Sequence, residues 1–250
     1  MARPVAGHFL LMNPALFVAN INYSIAGLDI LKALDLEVGE RQYYAIAGVN
    51  GAGKSTLIKL ILDLIRPGPG GTIRIFGQDH RDRGCRDRIA YLPEKFDVRR
   101  NVSGHQYLSF IAAVYHQTIS RDKIATLAER LDFPPDRLDH RVGGYSKGMV
   151  QKLGLVSCFM LERPLIILDE PLSGLDPRAR YHFKELMRAE KAAGRTVLYS
   201  THLLADAEDL CDQFGILHGG ELKYRGTPAD CMQSYQADSL EQAYMKCISG

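Results

Sequence analysis

The stretch GVNGAGKST, residues 48–56, concentrates three glycines, a lysine and two hydroxyls in nine positions. Gly48, Gly51 and Gly53 let the backbone turn where side chains would collide, so that successive N–H groups can face inward around phosphate oxygens. Lys54 adds a point charge for the outer phosphates and Ser55 offers a hydroxyl to Mg2+. A helix beginning here aims its positive end at the same anion. Asn50, Gly51, Ala52, Gly53, Lys54, Ser55 and Thr56 together are the expected binding stretch for a nucleoside triphosphate. Many unrelated machines use such a loop, so it names a ligand and leaves the task open.

LIILDEP (165–171) supplies what the other half of a nucleotide site needs. Four apolar residues carry Asp169 to a strand end, where a carboxylate can hold Mg2+ directly or through water. Glu170 follows at a place where a base can orient a water against the outer phosphate. Adjacent carboxylates after an apolar strand are costly unless a cation or a reaction uses them. SGLDP (173–177) is a turn in which Asp176 caps the next helix and Pro177 takes its first position. His202, after the strand TVLYS, is placed to reach an outer phosphate, although a histidine after a strand also commonly serves structure alone. In GGYSKGMVQKL (143–153), Ser146 is an expected helix N-cap and Gly148 lies in the first turn, where backbone can approach an anion. This is a second anion-binding helix start in one chain. Because residues 48–56 already take one nucleotide's phosphates, it makes sense if it faces the nucleotide of another copy.

These side chains need strand ends and helix starts to hold them. YYAIAG before the loop is a buried strand, and KSTLIKLILDLI after it is a helix stopped by Pro67 and Gly68. Short alternating runs from Ala15 to Val38, separated by Gly27, predict a small antiparallel sheet, and TIRIFG a further strand. From about residue 97 to 160 the period is helical, through GHQYLSFIAAVYHQ, RDKIATLAERLD and SKGMVQKLGLVSCFM. Strands and helices then alternate: LIIL, PRARYHFKELMRAEKAAG, TVLYS, LLADAEDLCD and a strand FGILHGGELKYRG, with DSLEQAYMKCISG as a last helix. Alternation with continuous apolar strands predicts an α/β fold, a mostly parallel sheet covered by helices.

The 250 residues, 46% hydrophobic, suffice for a substantial core. A net charge of +2, from 31 basic against 29 acidic residues, gives no general drive toward nucleic acid. RDRGCRDR (81–88) alternates arginine with aspartate as a solvated surface does, so nucleic acid is not expected as a partner. Five cysteines lie far apart with no C-x-x-C pair, as in a reduced cytosolic protein. Asn13 and Pro14 interrupt the apolar N-terminus, which argues against a signal peptide. No stretch reaches the roughly 18 apolar residues that span a bilayer. Any membrane role is therefore expected through a partner.

The ordered set GVNGAGKST, YLPE, YSKGM, LIILDEP, SGLDP and STH resembles the nucleotide-binding subunit of ATP-binding-cassette transporters over nearly the whole chain. YSKGM stands where the family signature is usually leucine-serine-glycine-glycine-glutamine; Ser146 and Gly148 keep its anion-binding elements, and Lys147 and Met149 depart from it. The resemblance implies a P-loop NTPase core at about 9–96 and 162–230 with an antiparallel β part. A helical subdomain at about 97–161 and a C-terminal helix at about 231–250 complete one domain. It implies that two copies sandwich two ATP, each between one copy's phosphate loop and the other's signature helix. Glu170 is then the hydrolytic base and His202 the switch histidine. Glu94 occupies the lid glutamine's place, able to coordinate Mg2+ but not to donate an amide hydrogen bond. The adenine-stacking position falls near Ile25, with Tyr23 as the candidate aromatic on the same strand face.

YLPE, SKGM and the ending SLEQAY are most similar to subunits that power exporters of drugs, polysaccharides or haem with a separate membrane permease. The implied location is the cytoplasmic face of the membrane. A soluble ATPase of the same family is the alternative. A small kinase has no use for the second anion helix, and a purely nucleotide-sensing module has no need of Lys54, Asp169, Glu170 and His202 together. In the family a groove near the lid receives a helix of the permease. The stretch from Glu94 contains Phe96, Val98, Val102, Tyr107, Leu108, Phe110, Ile111 and Tyr115, and its Phe96 to Val102 end is expected to be the exposed apolar anchor.

Overall fold

The computed structural model describes residues 14–249; residues 1–13 of the apolar N-terminal stretch lie outside them. The described residues pack as two compact units, 14–86 with 196–249, and Asp87–Arg195. In the first, β1 (Leu16–Ile25) and β2 (Leu28–Val38) form an antiparallel hairpin. Ala26 and Gly27 close it with φ of 49° and 81°, the left-handed pair whose twist matches that of the strands. β3 (Tyr43–Ala47) is buried throughout and runs into the glycine loop and α1 (Lys54–Ile61). β4 (Thr72–Ile75) pairs with β1 and β5 (Gln78–Asp79) with β4, which completes the expected antiparallel sheet in the order β2-β1-β4-β5.

α1 ends at Ile61, earlier than the proline and glycine at 67 and 68 suggest. Asp63 turns left-handed, its N–H bonding Leu60 O at 3.1 Å while Leu64 N–H bonds Lys59 O at 2.9 Å. That double closure satisfies the last carbonyls and stops the helix before any proline acts. RDRGCRDR contains the short α2 (Arg83–Arg86), with Cys85 buried. Two of its arginines are ion-paired: Arg81 grips Asp79 with two bonds of 2.9 and 2.6 Å, and Arg86 reaches Asp63 at 2.8 Å.

The second unit begins with a strand absent from the sequence reading, β6 (Ile89–Leu92). Three helices follow as expected, α3 (Gly104–Val114), α4 (Arg121–Arg130) and α5 (Lys147–Phe159). Ser103, Ser120 and Ser146 cap them, each accepting a backbone N–H three residues on. β7 (Leu165–Asp169) pairs parallel with β6 and leads to α6 (Pro177–Ala192).

Back in the first unit come β8 (Thr196–Thr201), α7 (Leu204–Leu210), β9 (Gln213–His218), β10 (Glu221–Gly226), α8 (Pro228–Ser234) and α9 (Leu240–Ser249). β3 lies parallel between β8 and β9, and β10 returns antiparallel on β9. FGILHGGELKYRG is thus a hairpin and not one strand. Gly219 and Gly220, with φ of 59° and 83°, reverse the chain where only glycine is unstrained twice running. The C-terminal region likewise holds two helices where one was expected, because Thr227 caps α8 and Gln236, at φ 49°, separates it from α9. The result is an α/β fold with mostly parallel core strands and a separate antiparallel sheet. Among the described residues no helix is long and apolar enough to cross a membrane.

Candidate functional site

β3 delivers Gly48 to the floor of the loop. A Cβ there would lie 2.5 Å from Leu217 O, so the backbone passes where no side chain fits. Gly48 N–H bonds Thr201 O at 3.2 Å, which ties the loop to the end of β8. Gly51 and Gly53 take φ of 83° and 109°, and Asn50 is exposed between buried neighbours Gly48 and Ala52. Gly53 is the N-cap of α1 and no side chain caps that helix. α3, α4, α5, α6 and α8 all start with a side-chain cap. The first N–H groups of α1 thus face the loop without a capping oxygen, as an anion-binding start requires. Lys54, 6% exposed, curls back so that Nζ donates to Gly48 O at 2.7 Å and Val49 O at 3.3 Å. Ser55 and Thr56 follow half-buried in the first turn.

Two further expected residues come to this loop. His202 is exposed and follows Thr201, whose carbonyl holds Gly48 and whose Oγ1 accepts the Leu203 N–H at 3.0 Å. Tyr23 is half-buried in β1 opposite Leu31, and Leu31 packs against Gly53, where an added Cβ would lie 2.8 Å from its Cδ2. Cross-strand partners share a face, so Tyr23 lies on the side that meets the phosphate loop. Ile25 is 53% exposed at the hairpin tip.

In the second unit β7 carries Asp169 to its buried end, 2% exposed. Glu170 is 7% exposed and takes φ 50°, a left-handed backbone uncommon for a glutamate and of the kind that clusters at functional sites. Glu94 is exposed just past β6. Tyr91, which the sequence reading gave no role, joins the two: burial first, then the negative fields of Asp169 and Glu94 among its neighbours, push its hydroxyl up to about 12. Tyr91 therefore stays protonated and able to donate. Among the described residues no three His, Cys, Asp or Glu side chains form a metal site by themselves. Mg2+ commonly shares one or two carboxylates with phosphate oxygens, so Asp169 at the end of β7 fits that donor set.

The second helix start is built as expected. Ser146 Oγ accepts the Met149 N–H at 3.2 Å, and Gly148 stands in the first turn of α5. A Cβ on Gly148 would approach Gly174 O to 3.2 Å, so α5 begins pressed against the SGLDP turn. In that turn Asp176 Oδ1 accepts the Ala179 N–H at 2.8 Å, and this bond above all holds its carboxyl below the usual carboxylate range. Gln151, 6% exposed and unremarked in the sequence, donates to Pro171 O at 3.0 Å and so ties α5 to the turn after Glu170.

Apolar exposure does not concentrate at the Phe96 to Val102 end, where Phe96 and Val102 are half-buried. Val98 is buried, 6% exposed, and Phe96 packs edge-on against Tyr107 with ring centres 5.7 Å apart. Exposure falls instead on Phe110 (63%) and Val114 (55%), one turn apart on α3. Leu108 and Ala112 take the buried face of that helix, which turns positions 110 and 114 outward.

A protein-family model described as ABC transporter matches residues 31–173, more than half of the chain. An uncharacterized ABC transporter ATP-binding protein of Nostoc is 36% identical over 79% of this chain and 59% of its own length. Nod factor export ATP-binding protein I of Rhizobium meliloti is 33% identical over 86% of the chain and 64% of its own length. The chain thus spans less than two thirds of either relative. A solved ATP-binding subunit of an ABC transporter superposes with a TM-score of 0.86 at 34% identity, covering 94% of this chain and 99% of that one. A glycine loop running into an uncapped helix, an aspartate-glutamate strand end, a second capped helix start and these likenesses agree: the chain belongs to the ABC transporter family, among its ATP-binding proteins.

Proposed function

We propose that this chain is an ATPase subunit that closes with a second copy of itself around two ATP and powers a membrane transporter working as an exporter. One observation carries the reading: the same chain holds an uncapped helix start behind a glycine loop at Gly53 and a second start, at Ser146 and Gly148, pressed against the turn that follows Glu170. A single ATP needs only the first. The second serves ATP held by another copy. The export direction rests on the relative whose printed name is a Nod factor export protein. Attachment to the cytoplasmic face of a membrane through a permease, and one domain with a core at about 9–96 and 162–230 and a helical part at about 97–161, belong to the same proposal.

Lys54 holds the outer phosphates by exchanging its loop carbonyls for phosphate oxygens, and Tyr23 covers the base. Ser55 and Asp169, with Glu94 from the lid side, are the residues to hold Mg2+, which when bound screens charge on the outer phosphates. Glu170 orients the attacking water and accepts its proton, and its fixed left-handed backbone keeps the carboxylate aimed. His202 senses the outer phosphate from the turn beside Gly48. Ser146 Oγ and the first N–H groups of α5 receive the partner's phosphates.

Glu170→Gln tests base and assembly together. It should bind ATP, lose turnover by about a hundredfold or more, and pass from monomer to dimer on ATP and Mg2+ in light scattering. Ser146→Arg in that background should block the dimer by filling the anion pocket. Near-native hydrolysis by Glu170→Gln sinks the assignment of the base, and ATP-driven dimers of the Ser146→Arg protein sink that of the second site.

A further inference from the structure

The C-terminal end of α4 carries an acidic side chain at a place that favours glycine. Asp132 has φ 54°, with its N–H on Glu129 O at 2.9 Å and the next N–H, of Phe133, on Ala128 O at 2.9 Å. This is the double-bonded helix stop whose left-handed residue is usually glycine. The aspartate there is gripped twice. Lys152 Nζ donates to its backbone O at 2.7 Å and its Oδ2 at 3.2 Å, and Arg178 Nη2 lies 2.8 Å from its Oδ1.

The two cations come from the two helix starts already described. Lys152 is on α5, six positions after the cap Ser146, and Arg178 is the second residue of α6, two positions after the cap Asp176. The Lys152 side chain is 10% exposed and Arg178 75%, so the Lys152 contact is the stronger and the Arg178 contact is screened by solvent. Between the two starts lies a cavity of about 180 Å³, lined among others by Phe133, Ser146, Met149, Leu175 and Asp176. Around it α5 and the chain leading into α6 also meet at Gly148, where an added Cβ would lie 3.2 Å from Gly174 O, and through the Gln151 bond to Pro171 O. Beside these contacts, Lys152 of α5 and Arg178 of α6 both meet at Asp132.

We propose that Asp132 is a positioning residue: by joining Lys152 and Arg178 it sets the start of α5 against the start of α6, and so sets how readily the anion site at Ser146 and Gly148 accepts the ATP of a second copy. The inference rests on the two-copy reading above. Asp132 touches no nucleotide and acts only through the two helices. Because the backbone at 132 favours glycine, Asp132→Gly relieves local strain while it removes the carboxylate that joins the two cations and leaves Lys152 only its bond to the backbone O, which separates positioning from stability.

In the Glu170→Gln background, Asp132→Gly should keep its thermal midpoint within a few degrees and bind ATP as a monomer with unchanged affinity. The ATP concentration for half-maximal dimerisation, read by light scattering, should rise about fivefold or more, the size expected for losing a coupled charged contact. Lys152→Met should give a similar rise, and the double variant no more than the larger single effect, since both act through one tie. Lys152→Arg should restore most of the response. If Asp132→Gly fails to fold, Asp132→Asn, which tolerates the same backbone, takes its place. Half-maximal dimerisation at the native ATP concentration in Asp132→Gly, or effects of Asp132→Gly and Lys152→Met that simply add, overturns the inference alone. If Glu170→Gln protein with native Asp132 never dimerises on ATP, the two-copy reading itself has failed.

Discussion

Lys54 Nζ lies 2.7 Å from the carbonyl oxygen of Gly48, so the ammonium rests folded over the loop that contains it. In the proposed function ATP would replace that neutral acceptor by a charged phosphate oxygen, and a charge-assisted bond is roughly twice as strong. Lys54→Ala should therefore weaken ATP binding by about tenfold or more in titration calorimetry. Lys54→Arg should not restore it, since a planar fork cannot repeat the compact curl onto Gly48. Native affinity in Lys54→Ala would count against the loop as the phosphate site.

Val98 and Phe110 separate a core position from an exposed one. Val98 is 6% exposed, so Val98→Asp buries a carboxylate and should destabilise the fold by about 2–4 kcal/mol in denaturant titrations. Phe110 is 63% exposed, so Phe110→Asp should leave the midpoint and ATP binding unchanged while abolishing recovery with membranes of the native host. Membrane recovery undiminished in Phe110→Asp and Val114→Asp would remove that face of α3 as the permease contact.

Asp176 gives the protein an acid-sensitive helix start. Its folded carboxyl holds a proton less tightly than the unfolded chain does, chiefly because it accepts the Ala179 N–H. Its ionised form therefore adds stability above the ordinary carboxylate range, and that contribution is lost as pH falls through the depressed folded value. Asp176→Asn keeps a cap but does not titrate. The gap between native and Asp176→Asn thermal midpoints should be open at pH 7 and narrow steadily below the usual aspartate range, about pH 4. A gap independent of pH would contradict the assignment.

Cysteine reactivity should follow burial. Cys85, Cys158, Cys231 and Cys247 are buried and Cys211 is half-exposed. Burial pushes the thiols of Cys158 and Cys231 up to about 12, which leaves almost no thiolate at neutral pH. An alkylating reagent at pH 8 should modify Cys211 first, with the other four reacting only on unfolding, as followed by intact mass. Early modification of Cys158 would contradict the packing of α5.

The candidate site residues lie in short runs adjacent in the chain, and there the sequence by itself was enough to place them on their local elements. The turn at 48–56, the paired carboxylates after β7, and the caps Ser146 and Asp176 depend on local backbone preferences that act within a few residues. Boundaries were also local where they failed: a left-handed Asp63 ends α1, and two glycines split β9 from β10, signals present in the sequence but outweighed by a continuous apolar pattern. Only the tertiary structure decided which apolar residues of 96–115 face solvent, that Tyr91 stands between the fields of Asp169 and Glu94, that Gln151 braces the turn after Glu170, and that Lys152 and Arg178 meet on Asp132. Each of these pairs elements distant in the chain. No residue spacing encodes such a meeting, because it is settled by how α4, α5, α6 and the strand ends exclude water together, and burial of that kind is a property of the packed whole.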